Sequence, residues 1–149
     1  MGQNTGLPHV AAEQVGDTYY FSPLNIFTFA AVDNSRPNER DTMKAYIWHE
    51  GEAKRGANNI ASCLLKDYKS KGFFAETQEG ELSVIADNCG GQNKNEEVLR
   101  LHLWLVEAEI FTLVRIIFFV KGYTKNDCDR LFNFLKQEYK TQILKPLTP

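Results

Sequence analysis

Residues 82–98 read LSVIADNCGGQNKNEEV, and this stretch decides the fold class. Leu82–Ala86 is a short, continuous apolar run, the pattern of a strand buried on both faces of a sheet. It stops at Asp87, turns through Gly90-Gly91 and opens a helix whose apolar positions run from Val98 to Val106. Leu113–Val120 then returns as a second apolar strand. Strand, single helix, strand is a crossover unit, and such a unit builds a parallel strand pair. The helix, over Glu96–Ala108, is apolar on most sides, which predicts that it is well covered.

On the amino-terminal side, Leu24–Val32 (LNIFTFAAV) is β-branched and aromatic and reads as a strand. Asp33–Asp41 is polar, contains Pro37 and reads as a hairpin loop, with Met43–His49 as the returning strand. Ala57–Ser70 reads as a helix, with Ile60, Leu64 and Tyr68 at a spacing of four, closed by Lys71-Gly72. On the carboxyl side a last helix is expected over Asp127–Tyr139, followed by a loose tail over 141–149 with Pro146 and Pro149. Residues 1–22 carry Gly2, Gly6, Pro8 and Gly16 and read as an irregular lead-in. The order is strand, strand, helix, strand, helix, strand, helix, which implies one α/β domain with a mixed sheet flanked by helices over 1–149.

Composition excludes several function classes. The chain has 149 residues, 43% hydrophobic and 24% charged, so it carries enough apolar material for a core. With 17 Lys+Arg against 19 Asp+Glu, the net charge is -2, and no global basic field marks a nucleic-acid binder. Cys63, Cys89 and Cys128 form no C-x-x-C pair, which argues against a disulfide framework or a Cys-rich zinc site and for a reducing compartment. The first residues have no basic region of a secretory leader. The longest apolar run, Ile110–Val120, is interrupted by Arg115 and is too short for a membrane span.

Two loops after strands carry chemistry. In an open α/β sheet, ligands bind outside the carboxyl ends of the strands. Asp87 ends a buried strand, where a carboxylate packs poorly but can face a divalent cation, which prefers hard oxygen ligands. Gln92, Asn93, Lys94 and Asn95 open a helix, whose free N–H groups and dipole favour phosphate. The competing reading of this loop is a tight turn with Asn and Asp as caps. In the second loop, Gly122–Arg130, Asp127 suits a helix cap and Asp129 lies further along the helix, either a dipole partner or a metal ligand. His9, His49 and His102 share no ligand spacing, and His102 sits among apolar neighbours as a packed histidine. Cys89 has no histidine close in sequence and is more simply a small buried residue than a nucleophile. Glu50 and Glu52 follow a strand and are solvated loop acids by default.

Three segments carry a resemblance: Tyr46–Glu52 with Arg55–Asn59, then Ala86–Asn95 with its Asp-Asn-Cys-Gly-Gly-Gln-Asn-Lys-Asn block, then Lys121–Lys125 through Asp129. Together they resemble a eukaryotic domain family of unknown function that is itself similar to transposon-derived, RNase H-like DDE transposase and integrase domains. The resemblance implies an RNase H-like mixed sheet and a nuclease or strand-transfer chemistry on DNA, with two Mg²⁺ or Mn²⁺ ions held by clustered carboxylates. It assigns Asp87 to the second acid, Asp129 to the third and Glu50 to an assisting glutamate. Gln92, Asn93, Lys94, Lys125 and Arg130 are the expected nucleic-acid contacts; in the alternative reading as a noncatalytic module, Arg55 and Lys136 join Lys94, Lys125 and Arg130 as phosphate contacts. Tyr123 stands where the family has histidine.

The first acid has no counterpart. Gly2-Gln3-Asn4 matches the residues that follow it in the family, so the first strand is expected to be missing, as in an amino-terminally truncated domain. The degenerate site is then expected to be inactive. The missing strand would leave two unpaired edges and an apolar gap; either the segment Gly6–Phe21 fills that gap imperfectly, or the fragment is unstable or pairs with another chain, with poor solubility as the expected outcome. The alternative is a noncatalytic nucleic-acid or protein interaction module that keeps the fold; a pseudogene product is a third reading. The family's character implies a nuclear location, although no basic localisation run is present, and no membrane role.

Overall fold

Pairing of β-branched and aromatic residues builds the first sheet. In the computed structural model the described residues are 2–7, 24–35, 42–75, 78–88, 93–120 and 127–141. Strand β1 spans Gly2–Leu7, β2 Leu24–Val32 and β3 Met43–His49. They form a three-stranded antiparallel sheet in the order β1-β2-β3. Gly2 lies opposite Phe29 and Leu7 opposite Leu24, while Val32 pairs with Met43 and Ile26 with His49. At the hairpin, Asp33 N–H donates to the Thr42 carbonyl at 2.8 Å, and the Asp33 carboxylate accepts from Ser35 N–H at 3.0 Å.

Helix α1 (Ala57–Ser70) follows, then β4 (Gln78–Ala86), α2 (Glu96–Glu107), β5 (Phe111–Phe118) and α3 (Asp127–Thr141). β4 and β5 pair in parallel, with Leu82 opposite Val114 and Ala86 opposite Phe118. α1 lies against β2 and α2, α2 against β5, and α3 against β2.

The core forms where these elements meet. Phe29, Ile60, Leu64, Tyr68, Val98, Leu105 and Phe111 make one buried cluster. α1 contributes its spacing-four stripe, as its periodicity predicts, and α2 contributes Val98, His102 and Leu105. Each fully buried aliphatic side chain there is worth about 1.5–3 kcal/mol relative to exposure. α1 ends in a Schellman motif: Gly72 is left-handed (φ 77°), its N–H donates to Lys69 O at 3.0 Å, and Phe73 N–H reaches Tyr68 O at 3.2 Å. α2 ends the same way through Glu109 (φ 55°), with Ile110 N–H on Leu105 O at 3.0 Å.

Four expectations are corrected. The lead-in is not irregular throughout, because Gly2–Leu7 is a strand on the flank of β2. A strand therefore does occupy this flank, where the first strand was expected to be missing. Its sequence lacks apolar alternation; main-chain groups of β2 supply the pairing, which no composition signal marks. In place of one mixed sheet there are two, since no described strand bridges β2 and β4. β4 and β5 are not buried on both faces: Ile85, Leu113 and Ile117 are exposed on the uncovered face of their two-stranded sheet. α2 is covered on one side only, leaving Leu99, Leu103 and Trp104 exposed. Residues 8–23 and the tail from 142 lie outside the described residues.

Candidate functional site

Between the two sheets lies a cleft of about 1170 Å³. Its walls are the last residues of β2, the length of β4 from Gly80 to Ala86, and side chains of α1. Asp87, directly after β4, opens onto it, and so do Asp127 and Cys128 at the start of α3. α3 is tied to this edge through the Cys128 thiol, which donates to the Ala30 carbonyl at 3.7 Å. Burial pushes that thiol's pKa up, so it is a packed group rather than an activated thiolate.

The sequence-predicted residues are distributed as follows. Asp87 is half-buried at the carboxyl end of β4. Asp129 is half-buried in the first turn of α3, but it is Asp127 that lines the cleft with Asp87. Arg130 Nη1 donates to Asp127 Oδ1 at 3.0 Å and is otherwise largely exposed. Glu50 belongs elsewhere: its carboxylate accepts from Asn25 Nδ2 at 2.7 Å, near the start of β2, and that bond holds its pKa below the usual value. Asn25 precedes Ala30 by five positions, about 16 Å along a strand, so the structure does not bring Glu50 into the cleft. Lys94 is exposed, with its ammonium 5.6 Å from the centre of the Phe118 ring. Gln92 and Lys125 lie outside the described residues, as does Cys89.

The capping reading of the Asp87–Asn95 loop holds at its end: Asn95 caps α2, its Oδ1 accepting from Val98 N–H at 2.9 Å. Asn93 is different. It is 5% exposed, lines the cleft, and its Nδ2 has no hydrogen-bond partner. A buried unpaired amide donor costs about 1–3 kcal/mol.

Two buried polar clusters lie beside the cleft, and the first, around Asp67, escapes sequence reading. Asp67, 2% exposed, pairs with Lys71 at 2.7 Å and Lys44 at 3.8 Å, and accepts from the Tyr46 hydroxyl at 3.4 Å. Burial and the Asp67 charge push the Tyr46 pKa up to about 12. Lys44 also donates to Ser70 Oγ. The signal was available: Asp67 and Lys71 are four apart, and Asp67 precedes Tyr68 on the apolar stripe. Next to it, the Tyr68 hydroxyl is 2.9 Å from His102 Nε2, and His102 Nδ1 is 2.7 Å from Val98 O. The carbonyl fixes Nδ1 as the donor, so Nε2 accepts from Tyr68. Desolvation lowers the His102 pKa and keeps the ring neutral. His102 is the packed histidine that its neighbours predict.

Cation chemistry has a partial donor set. Asp87 and Asp127 supply hard oxygens to one cleft, but among the described residues no three His, Cys, Asp or Glu side chains form a ligand group. Two carboxylates, one of them engaged by Arg130, do not fit a two-ion centre. Among the described residues no helix is long and apolar enough to cross a membrane. Residues 36–147 match the model of a family described as a domain of unknown function (DUF7869). No curated protein and no solved structure matches the chain.

Proposed function

The chain belongs to the DUF7869 family, and on that premise we propose that it is a transposase-derived, RNase H-like domain whose phosphodiester-cleaving site has degenerated. In this reading the cleft is the remnant of a DNA nuclease or strand-transfer site. The observation that supports it is the convergence of Asp87, after a parallel strand, and the acidic start of α3 on one cleft. Carboxylates at the rim of a sheet are what a metal-assisted attack on phosphate needs, and a complete set would place one ion at the attacking oxygen and one at the leaving oxygen. This chain's residues fall short of that set. Asp87 and Asp127 can hold a cation weakly, and Arg130 orients the Asp127 carboxylate. No hydrolytic step is assigned to them.

The test has two arms. Calorimetric titration with Mn²⁺ is expected to show one weak site, with a Kd of about 1 mM, lost in Asp87→Ala. Supercoiled plasmid incubated with the chain and Mn²⁺ is expected to stay intact. Manganese binding that survives Asp87→Ala overturns the assignment of the site. Manganese-dependent nicking that Asp87→Ala abolishes overturns the degeneracy.

The second reading is a noncatalytic nucleic-acid module, favoured by the exposure of Lys94 and Arg130 at the two segments that meet the cleft. It predicts duplex binding that weakens steeply between 50 and 200 mM salt, as counterion release requires. With a net charge of -2, such binding is local to that rim.

A further inference from the structure

The Asp67 cluster is unequal in charge. One carboxylate, 2% exposed, faces two ammonium groups, Lys71 Nζ at 2.7 Å and Lys44 Nζ at 3.8 Å. The lysines come from different elements. Lys71 caps the carboxyl end of α1, while Lys44 stands on β3 opposite Ala31, at the end of β2 that walls the cleft. Closing α1 does not call for the second lysine. The last turn already carries Lys69, and the Tyr68 and Lys69 carbonyls accept from Phe73 and Gly72 N–H. Asp67 is matched by Lys71, the shorter pair. Lys44 instead donates to Ser70 Oγ, which itself donates to Asp67 O at 2.7 Å. Its side chain stays 37% exposed. Lys44, Ser70 and Lys71 all line the cleft.

The acids of the cleft are placed differently. The Asp33 carboxylate accepts from Ser35, Asp127 is engaged by Arg130, and Asp87 follows β4. Each ammonium carries three N–H donors, so both lysines retain donors beyond those that the Asp67 cluster takes among the described residues. Two ammonium groups held side by side suit the three free oxygens of a phosphate better than the two of a carboxylate, and lysine binds phosphate as a point charge. We propose that Lys44 and Lys71 form an anion subsite that takes one phosphate group of a phosphorylated ligand, with Asp67 and Ser70 as positioning residues. The buried carboxylate fixes both ammonium groups from below and leaves their outer sides to the cleft. This subsite does not depend on a cation at Asp87 and Asp127.

Amide chemical-shift titration of the full chain with inorganic pyrophosphate tests it, in buffer containing EDTA so that the acidic rim plays no part. The expected shifts centre on Lys44, Ser70 and Lys71 and shrink as salt is raised. Lys44→Met keeps the apolar stem and leaves the melting temperature nearly unchanged, since a part-exposed pair contributes little. It weakens pyrophosphate roughly tenfold, while Lys44→Arg, which keeps the charge, restores binding. Lys66→Met, at an exposed lysine of the same helix, changes nothing. Lys71 is left intact because its loss would strand the buried Asp67. A second arm uses a ten-nucleotide single-stranded DNA. The same shifts with DNA assign the phosphate to a nucleic-acid backbone; shifts with pyrophosphate alone assign it to a phosphorylated small molecule, and either result supports the subsite. Absence of shifts at the corner with both probes overturns it. So do shifts confined to Lys94 and Arg130, undiminished affinity in Lys44→Met, or an equal loss in Lys66→Met.

Discussion

His102 links one residue's chemistry to the stability of the whole core. Its ring is 2% exposed and neutral, held between Val98 O and the Tyr68 hydroxyl. Its folded pKa is lowered by desolvation, so the unfolded chain takes up the proton first. Stability is then full above the ordinary histidine value of about 6.5 and falls as pH drops below it toward the folded pKa. Urea unfolding between pH 8 and 5 should show this decline, and His102→Gln should flatten it. A wild-type profile that is flat down to pH 5 would contradict the account. Glu109 is a second residue-scale case. It holds the left-handed position that closes α2 (φ 55°), which costs a side chain about 1 kcal/mol. Glu109→Gly should therefore stabilise the chain by about that amount in denaturant titration. Asp67→Ala should cost about 1.5–3 kcal/mol, because Lys71 loses its charged partner. His102 was legible as a packed residue from its apolar neighbours. Asp67 was not, because an acid on a helix reads as solvent-facing unless its Lys71 partner is noticed.

At the level of elements, periodicity was reliable where one face dominates. Leu24–Val32, Met43–His49 and Ala57–Ser70 have the bounds that their patterns predict. It was unreliable where apolar residues surround an element. α2 is apolar on most sides and reads as well covered, yet only the stripe of Val98, His102 and Leu105 is buried. The apolar count reports what an element can bury, not how many neighbours it has. Leu103→Glu on the open side should change stability by less than about 0.5 kcal/mol and reduce light scattering of concentrated samples. A large loss of stability would mean that Leu103 is covered. β1 was illegible because Gly2–Leu7 pairs through its main chain, and its Gly, Gln, Asn and Thr carry no alternation. β4 offers a parity test. Ser83→Pro removes an outward N–H and should leave the β4–β5 pair intact, whereas Val84→Pro removes a donor facing β5 and should unfold it. Circular dichroism melts distinguish the two outcomes.

For the whole molecule, the question is what the two sheets enclose. The strand-end acids were legible as a pair of loops after strands, and Asp87 does open onto the cleft. The acid of α3 that lines the same cleft is Asp127, whose position sequence reading gave to a helix cap. The start of α3 is turned there by its packing on β2, a contact 98 residues apart in sequence that no local pattern encodes. Glu50 is excluded by the β2–β3 register, which holds it at Asn25. The account's central claim is that residue 87 and the first turn of α3 form one cation-holding rim. Paramagnetic broadening of amide signals by substoichiometric Mn²⁺ tests it most directly. The account predicts selective loss of the signals around Asp87 and Asp127 together, restored in Asp87→Ala; broadening at only one of them, or at unrelated surface carboxylates, would contradict it.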